Sequence, residues 1–367
     1  MLQTLPHSTK KSTAPVAIDV DILSLATAVP KHKAIQRDIV EQAKSLFPFI
    51  ADLDEIFANA GVDERYLCEK QEWYFGRHGW EERTRTFHEH ALDLAEEVTR
   101  KAVDAADLEL SDIDVLVTST STGVGAPGFD CKLLNRIDLP ETIERVPLFG
   151  LGCGGGLGAL QRAARIAQGM PGANVLAVIV DLPSLCFTPS ESSLVQLIGG
   201  AIFGDGAAGL VVRSSDANRN GHGGPRIAHL RAIGDHFWRD TEHMTKNDVK
   251  DQGFALVLSK DIPNLLLHKY PPVVATFLQR AGLKMDDFDG FLFHPGSSRV
   301  LEMVQEGLGL TRSQLDHSWE VLRQYSNTSS PTVLFVLERG LNAGQRGRHL
   351  LTAMGPGFSA YFAVVDL

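Results

Sequence analysis

The sequence has few cysteines, no long apolar run and no excess of basic residues. Its four cysteines, Cys68, Cys131, Cys153 and Cys186, lie far apart and form no CxxC pair, which argues against a disulfide framework and for a reducing compartment. No apolar segment approaches the roughly 18 to 20 residues that span a bilayer. The chain has 35 Lys and Arg against 45 Asp and Glu, a net charge of -10, and an acidic chain is a poor general binder of nucleic acid. We therefore expect a cytoplasmic protein with neither a membrane span nor a nucleic-acid partner.

The composition is that of an ordinary globular protein. The 367 residues are 44% hydrophobic and 22% charged, enough for a deep core and for two similar halves. Residues 1–16 are polar and lack the apolar segment of a secretory signal. They are expected to form a flexible tail before a first strand near residues 17–27. Apolar residues at helical spacing follow over 38–60 and 86–106.

One pattern occurs twice in the chain. An apolar strand at 115–118 is followed by a loop, a helix opened by small residues around Cys153, a second strand and a Gly-rich turn into a third strand. The same order follows the strand at 290–293, with Asn327 in the place of Cys153. Cys153 lies 39 residues after Asp114, and Asn327 lies 38 residues after Asp289. The matched spacing predicts an α/β fold of layered sheets and helices in which Cys153 and Asn327 meet near a pseudo-twofold axis.

The repeat also predicts where the halves begin and end. The N-terminal half would cover residues 17–216 and carry Cys153, and the C-terminal half would cover 225–367 and carry His294 and Asn327. The segment between them is polar and rich in glycine, as is typical of a connection.

Cys153 lies in the turn Gly150-Leu-Gly-Cys-Gly-Gly-Gly. The glycines permit a tight strand-to-helix turn and a close approach of substrate to the sulfur. A thiol at a helix N-terminus is expected to have a lowered pKa, which favours a nucleophile. A small buried cysteine at a packed helix start explains the same residues equally well.

The same glycines also match the GxGxxG pattern of dinucleotide-binding folds. Asp181 ends the next strand, where such folds place a ribose-binding acid. This alternative predicts an NAD-dependent oxidoreductase. It is the weaker hypothesis, because the unit begins near the middle of the chain, Asp181 is followed by apolar residues, and the repeat stays unexplained.

His294 and Asn327 complete a Cys-His-Asn set with Cys153. His294 follows an uncharged strand and precedes Pro295-Gly296, which places its imidazole at a sheet edge, although a structural histidine is the simpler alternative. Asn327 precedes a helix, so capping that helix is its simplest role. Together, a thiol can take an acyl group from a thioester, while His and Asn donate hydrogen bonds to the enolate left when a malonyl group loses carbon dioxide. This chemistry needs no metal or redox cofactor, and we expect none.

The sequence resembles the type III polyketide synthases, the chalcone-synthase-like branch of the thiolase superfamily, over roughly residues 20–367. The motifs that carry the resemblance occur in family order: GVDERY from Gly61, TGVGAPG from Thr122, GCGGG from Gly152, FGDGAA from Phe203, KDIP from Lys260, HPG from His294, YSNTSS from Tyr325 and GPGF from Gly355. The resemblance implies a thiolase-like αβαβα fold and a homodimer that extends acyl-CoA starters with malonyl-CoA. It also implies that Cys153 is the acylated nucleophile paired with His294, and that His294 and Asn327 form the decarboxylation site. The β-ketoacyl-ACP synthase III family shares Cys-His-Asn and is the close alternative.

The resemblance also assigns residues around the substrate. Phe203 matches a gatekeeper between the CoA tunnel and the cavity, and Leu256 replaces the second gatekeeper Phe of the plant enzymes. The other positions assigned to the cavity or its rim are Ser121, Ala126, Pro183, Cys186, Ser329 and Gly357, with Ala126 on the family's dimer loop. The smaller side chains at Leu256, Cys186 and Ala126 suggest a medium- or long-chain fatty acyl-CoA starter and alkylpyrone or alkylresorcinol products, as in bacterial-type members.

The expected site for the CoA phosphates departs from the family. The segment at 54–60 contains no Lys or Arg, whereas the family has a basic patch before its Arg-Tyr motif. Anionic phosphates require a cation nearby. Arg299, just after the His294 loop, is our candidate, with an ordinary surface arginine as the alternative.

Overall fold

The protein is described from a computed structural model that covers residues 16–46, 52–187, 194–215 and 225–367. The predicted tail, up to residue 15, and the predicted connection at 216–224 lie outside the described residues. The boundaries of the two halves therefore stay a prediction.

The strands and helices alternate along the chain. In order, the strands are β1 (Val16–Ala28), β2 (His32–Ile35), β3 (Glu64–Leu67), β4 (Val115–Thr120), β5 (Glu144–Phe149), β6 (Val175–Asp181), β7 (Gly206–Ser214), β8 (Ala228–Phe237), β9 (Thr245–Lys250), β10 (Gly253–Leu258), β11 (Gly290–Phe293), β12 (Arg348–Gly355) and β13 (Ser359–Asp366). The helices are α1 (Gln36–Leu46), α2 (Leu53–Ala58), α3 (Trp80–Ala105), α4 (Phe129–Leu134), α5 (Gly155–Gly169), α6 (Leu194–Ile202), α7 (Ile262–His268), α8 (Tyr270–Arg280), α9 (Ser298–Leu308), α10 (Asp316–Tyr325) and α11 (Thr332–Asn342). Two helices, α1 and α2, replace the single helix predicted over 38–60.

The central sheet contains the predicted repeat. Within the described ranges its strand order is β11-β12-β13-β8-β1-β7-β6-β4-β5. In one half β4 and β6 are parallel, and β6, β7 and β1 follow one another antiparallel. In the other half β11 and β12 are parallel, and β12, β13 and β8 follow antiparallel. The antiparallel pair of β1 and β8 joins the two halves, which confirms an α/β fold of two pseudo-symmetric halves.

The alternation of side chains along the strands sorts the helices into layers. Val115 and Val117 of β4 face a central core with α5 and α11, whereas Leu116 faces a second core with α3. In the other half, Leu351 of β12 faces the central core, and Leu350 packs with α7, α8 and α9. Because successive strand residues point to opposite faces, each buried strand supplies two cores. The result is the five-layer αβαβα arrangement of the thiolase-like fold.

Small residues bring the two central helices close together. A Cβ atom at Gly155 would lie 2.5 Å from Oγ of Ser330, and one at Gly156 would collide with the backbone oxygen of Ser330. Both glycines are at the start of α5, and Ser330 lies just before α11. The equivalent helix starts of the two halves therefore meet at the pseudo-axis, where Cys153 and Asn327 lie.

Candidate active site

A cavity of about 560 Å³ lies at the starts of α5 and α11. Its walls come from the ends of β4, β6 and β11, from α6, and from the hairpin formed by β9 and β10. Cys153, His294 and Asn327 all line it. Three residues that are far apart in sequence thus converge on one cavity, as the geometric prediction required.

Cys153 lies in a short 3-10 turn, Gly152–Gly154, directly before α5. Gly152 has a φ of 49°, and a Cβ atom there would lie 2.5 Å from the ring of Pro356. Only glycine fits this combination of left-handed backbone and close approach. The turn leaves the sulfur partly accessible from the cavity although it lies deep in the protein.

Asn327 is the nearest polar group to the sulfur. Its Nδ2 lies 3.8 Å from Sγ of Cys153 and donates to the backbone oxygen of Gly296 at 3.0 Å. Its Oδ1 accepts from the Ser329 amide at 2.8 Å and from Oγ1 of Thr332 at 3.2 Å. Asn327 therefore makes an Asx turn just ahead of α11 and does not cap it. This turn fixes which end of the carboxamide faces the cavity.

His294 follows β11 and is only 3% exposed. Its backbone amide donates to the Thr352 oxygen at 2.8 Å. Neither ring nitrogen has a hydrogen-bond partner within the part of the chain that the structure describes. A buried imidazole with both nitrogens open and a cavity before it is equipped to receive or give a proton there.

Burial dominates the electrostatics of the thiol and the imidazole. It raises the pKa of Cys153 to about 11, more than the hydrogen bonds with Asn327 and Ser329 lower it, so the predicted lowering by the helix terminus is wrong for the lone thiol. Burial also lowers the pKa of His294 to about 3. Each shift reflects the cost of one isolated charge. A proton moved from thiol to imidazole creates two opposite charges together, and their attraction in the interior stabilises the pair.

Asp181 ties the catalytic loops together. Its carboxylate is fully buried. Oδ1 accepts from the Ser121 amide at 2.6 Å and from the Thr120 and Thr122 hydroxyls, both at 3.2 Å. Oδ2 accepts from the Ser330 amide at 3.1 Å and from the Ser330 hydroxyl. Because the protein itself occupies both oxygens, the dinucleotide hypothesis is wrong in giving Asp181 to a ribose.

Most of the residues that the family resemblance assigned to substrate line the cavity. These are Ser121, Pro183, Cys186, Phe203, Leu256, Arg299 and Ser329. Gly357 does not, although its neighbours Pro356 and Phe358 do. Ala126 does not either, and it is exposed on the loop after β4.

Sequence reasoning missed part of the cavity wall. Ile39 and Ala43 of α1, Phe57 of α2 and Leu266 of α7 give the cavity an apolar extension. Their spacing is that of ordinary core residues, so no local signal marks them. Arg65 also lines the cavity and is 2% exposed. It lies in the motif GVDERY, which was noted only as a family signature.

The wall also has a distinct charge. Its cations are Arg65, Lys246, Lys260 and Arg299, and no Asp or Glu is found among the described residues that line it. In a chain of net charge -10, such a wall favours an anionic ligand. Over the described ranges, no group of three metal-ligating side chains occurs, and no helix there is long and apolar enough to cross a membrane.

Comparisons with known proteins identify the family. Residues 69–216 match the N-terminal domain of chalcone and stilbene synthases, and residues 229–363 match the C-terminal domain. A 1,3,6,8-tetrahydroxynaphthalene synthase of Streptomyces peucetius is 36% identical, over 94% of this chain and 92% of its own. An alpha-pyrone synthesis polyketide synthase-like protein of Mycobacterium tuberculosis is 28% identical, over 96% and 93%.

A solved structure agrees with these matches. The 1,3,6,8-tetrahydroxynaphthalene synthase of Streptomyces coelicolor, described as a bacterial type III polyketide synthase, superposes with a TM-score of 0.88 at 27% identity. The alignment covers 94% of this chain and 99% of that one. The matches decide between the two families of condensing enzyme that share a Cys-His-Asn set. The chain belongs to the chalcone and stilbene synthase family and is a type III polyketide synthase, a condensing acyltransferase.

Proposed function

We propose that the protein extends an acyl-CoA starter with malonyl-CoA units by decarboxylative condensation at Cys153, His294 and Asn327. The observation that carries the proposal is the convergence of these three side chains on one cavity. No metal or redox cofactor is required, because loss of carbon dioxide supplies the carbon nucleophile.

Loading comes first. The sulfur of Cys153 attacks the carbonyl carbon of the starter thioester, and its proton passes to an open nitrogen of His294. The bond to the CoA sulfur breaks, and CoA leaves as a thiol after taking up a proton. The acyl group is then held on Cys153, and His294 is neutral again.

Condensation follows. With malonyl-CoA in the cavity, Nδ2 of Asn327 and an N–H of His294 donate to the thioester oxygen as carbon dioxide leaves. These donors stabilise the negative charge that develops on that oxygen. The enolate carbon attacks the acyl carbonyl, and the bond to the Cys153 sulfur breaks. The product is a ketoacyl-CoA two carbons longer, which can return to Cys153.

We further propose a medium- or long-chain fatty acyl starter and an alkylpyrone or alkylresorcinol product. Support comes from the apolar extension of the cavity by α1, α2 and α7, and from Leu256 and Cys186 on its wall. The alpha-pyrone relative from Mycobacterium tuberculosis is consistent with the lactone product.

A second candidate substrate has its own support. The Streptomyces peucetius relative, at 36% identity, is named for a tetrahydroxynaphthalene, a product without an alkyl chain. By analogy, malonyl-CoA would be starter as well as extender in this chain, with a polyhydroxyarene as product.

One experiment separates the two substrates and tests the mechanism. The enzyme is incubated with malonyl-CoA alone and with acyl-CoAs of increasing chain length, and the products are analysed by mass spectrometry. Alkylpyrones or alkylresorcinols formed only with long acyl-CoAs support the first candidate, and a polyhydroxyarene from malonyl-CoA alone supports the second. The variant Cys153→Ala should form no acyl-enzyme and no product. Full activity in that variant would overturn the mechanism.

We also propose that the enzyme is a homodimer and that CoA, not a carrier protein, delivers its substrates. The edge strand β5 supports the first, because its last residue, Phe149, is 56% exposed, and a bare sheet edge invites pairing with a second copy. The cationic wall supports the second. Arg299 itself is exposed and pairs with Glu302 at 3.1 Å. A cytoplasmic location stays a prediction from the sequence.

A further inference from the structure

Arg65 is a buried cation that the proposed mechanism does not use. It is the second residue of β3 and is 2% exposed. No carboxylate in the described ranges forms an ion pair with it. Its guanidinium donates instead to uncharged oxygens, namely those of Gly200, Ala201 and Phe203 and Oε1 of Gln36.

Three of these acceptors belong to the end of one helix. Gly200 and Ala201 are in the last turn of α6, and Phe203 follows it. The last carbonyls of a helix have no partner within the helix and carry the negative end of its dipole. A planar guanidinium can serve several of them at once. Burial lowers the pKa of Arg65 to about 9, so the side chain is still a cation at neutral pH.

The end of α6 is also bonded to the loop that carries Asn327. The Asn327 amide donates to the Ile202 oxygen at 3.0 Å, and the Gly204 amide donates to the Asn327 oxygen at 3.1 Å. Phe203 and Asn327 thus form a short β-bridge. The position of the α6 terminus therefore sets the position of the Asn327 backbone.

We propose that Arg65 is a positioning residue for the condensation step, which holds the end of α6 and thereby places the Phe203 ring at the cavity and the Asn327 carboxamide beside Cys153. The inference rests on the role proposed above for Asn327. It separates the two steps of the reaction, because Cys153 is held by α5 and by the Asp181 network, which do not depend on Arg65.

The variant Arg65→Lys tests this inference. Lysine keeps the charge but cannot reach all three carbonyls. Since a misplacement of about 1 Å can cost about 100-fold in rate, we expect malonyl-CoA decarboxylation to fall about 10- to 100-fold. Acylation of Cys153 by an acyl-CoA should stay within about threefold, because its own supports are intact. Acetyl-CoA release measures the first and intact-protein mass spectrometry the second, both per folded protein as judged by near-UV circular dichroism.

Arg323→Gln is the matched control. Arg323 pairs on the surface with Asp63, two residues before Arg65, and with Glu320. Its loss disturbs the same segment without touching α6, so both steps should stay within about twofold. If Arg65→Lys instead slows acylation and decarboxylation in equal proportion, Arg65 has only a structural role and the inference is overturned.

A second variant covers the case in which Arg65→Lys does not fold. Gln36→Met removes the side-chain acceptor of Arg65 and should slow decarboxylation about 3- to 10-fold with acylation unchanged. Unchanged decarboxylation in this variant would also overturn the inference. Failure of the wild-type enzyme to form an acyl-enzyme or to decarboxylate malonyl-CoA would instead refute the proposed function.

Discussion

Replacing Asp181 by Asn should loosen the loops around Cys153. The carboxylate accepts from two backbone amides, those of Ser121 and Ser330, through different oxygens. An Asn side chain has only one acceptor oxygen, so either orientation leaves one buried amide facing an NH2 group. A buried donor without an acceptor costs about 1–3 kcal/mol, and weaker bonds to a neutral acceptor add about 1 kcal/mol. We therefore expect Asp181→Asn to lower the free energy of unfolding by about 2–4 kcal/mol.

The expected change in activity follows from the same contacts. The Ser330 hydroxyl lies 2.7 Å from the Gly152 oxygen, and Oγ of Ser121 accepts from the Gly152 amide at 2.7 Å. Gly152 precedes Cys153, so a loosened network misplaces the sulfur, and acylation should slow by about 10-fold. Urea unfolding followed by circular dichroism gives the stability, and intact-protein mass spectrometry gives the acylation rate.

Asp205→Asn is the matched control. Asp205 is equally buried and accepts from the Cys68 and Ser184 amides at 2.8 and 2.9 Å, but it makes no hydrogen bond to the loops that carry Cys153 and Asn327. It should lose similar stability and keep its acylation rate. Equal acylation in the two variants, or an unchanged stability in Asp181→Asn, would refute the reasoning.

The pH dependence of the two proteins gives a further check on Asp181. Burial raises the pKa of its carboxyl above 3.8, so the folded state holds this proton more tightly than the unfolded chain. The stability that this group contributes is present at acidic pH and is lost as the pH rises through the folded-state pKa. Because Asn does not titrate, the destabilisation by Asp181→Asn should be larger at acidic than at neutral pH. The opposite slope would show that the carboxyl is not destabilised by burial.

Three other changes have defined outcomes. Asn327→Asp should slow malonyl-CoA decarboxylation by about 100-fold or more, since the Nδ2 donor is lost. It should stay more stable than Asn327→Ala, because Asp can still accept from the Ser329 amide in a urea titration; equal stability would contradict the Asx turn. Leu256→Phe should lower the ratio of kcat/KM for long over short acyl-CoAs by about 10-fold, and an unchanged ratio would place the acyl chain elsewhere. Phe149→Asp should raise the dissociation constant of the dimer at least about 100-fold by light scattering, and an unchanged mass would remove β5 from the interface.

The part of the fold that repeats could be predicted from the sequence. The strand predicted at 290–293 is β11 without any change of bounds, and the strand predicted at 115–118 is extended by two residues in β4. Buried strands are continuous apolar runs bounded by polar residues, so their signal is local. The equal distances from Asp114 to Cys153 and from Asp289 to Asn327 added a non-local constraint, and that constraint brought the catalytic residues together.

Other features depend on contacts that leave no local mark. Arg65 has the sequence context of a surface arginine, and only the fold brings the end of α6 over it. The apolar extension of the cavity is made by α1, α2 and α7, which meet only in the folded protein. The pKa of Cys153 was predicted in the wrong direction because a helix terminus is visible in the sequence, whereas the depth of burial is not.

The seam between β1 and β8 has a consequence for synthesis on the ribosome. β1 is among the first segments to be translated, yet its partners β7 and β8 begin at Gly206 and Ala228. Until both have emerged, this long apolar strand has bare edges, and a nascent N-terminal half would expose one of them to other chains. Truncation after β7 should therefore yield aggregates, whereas the completed seam shields the strand on both sides.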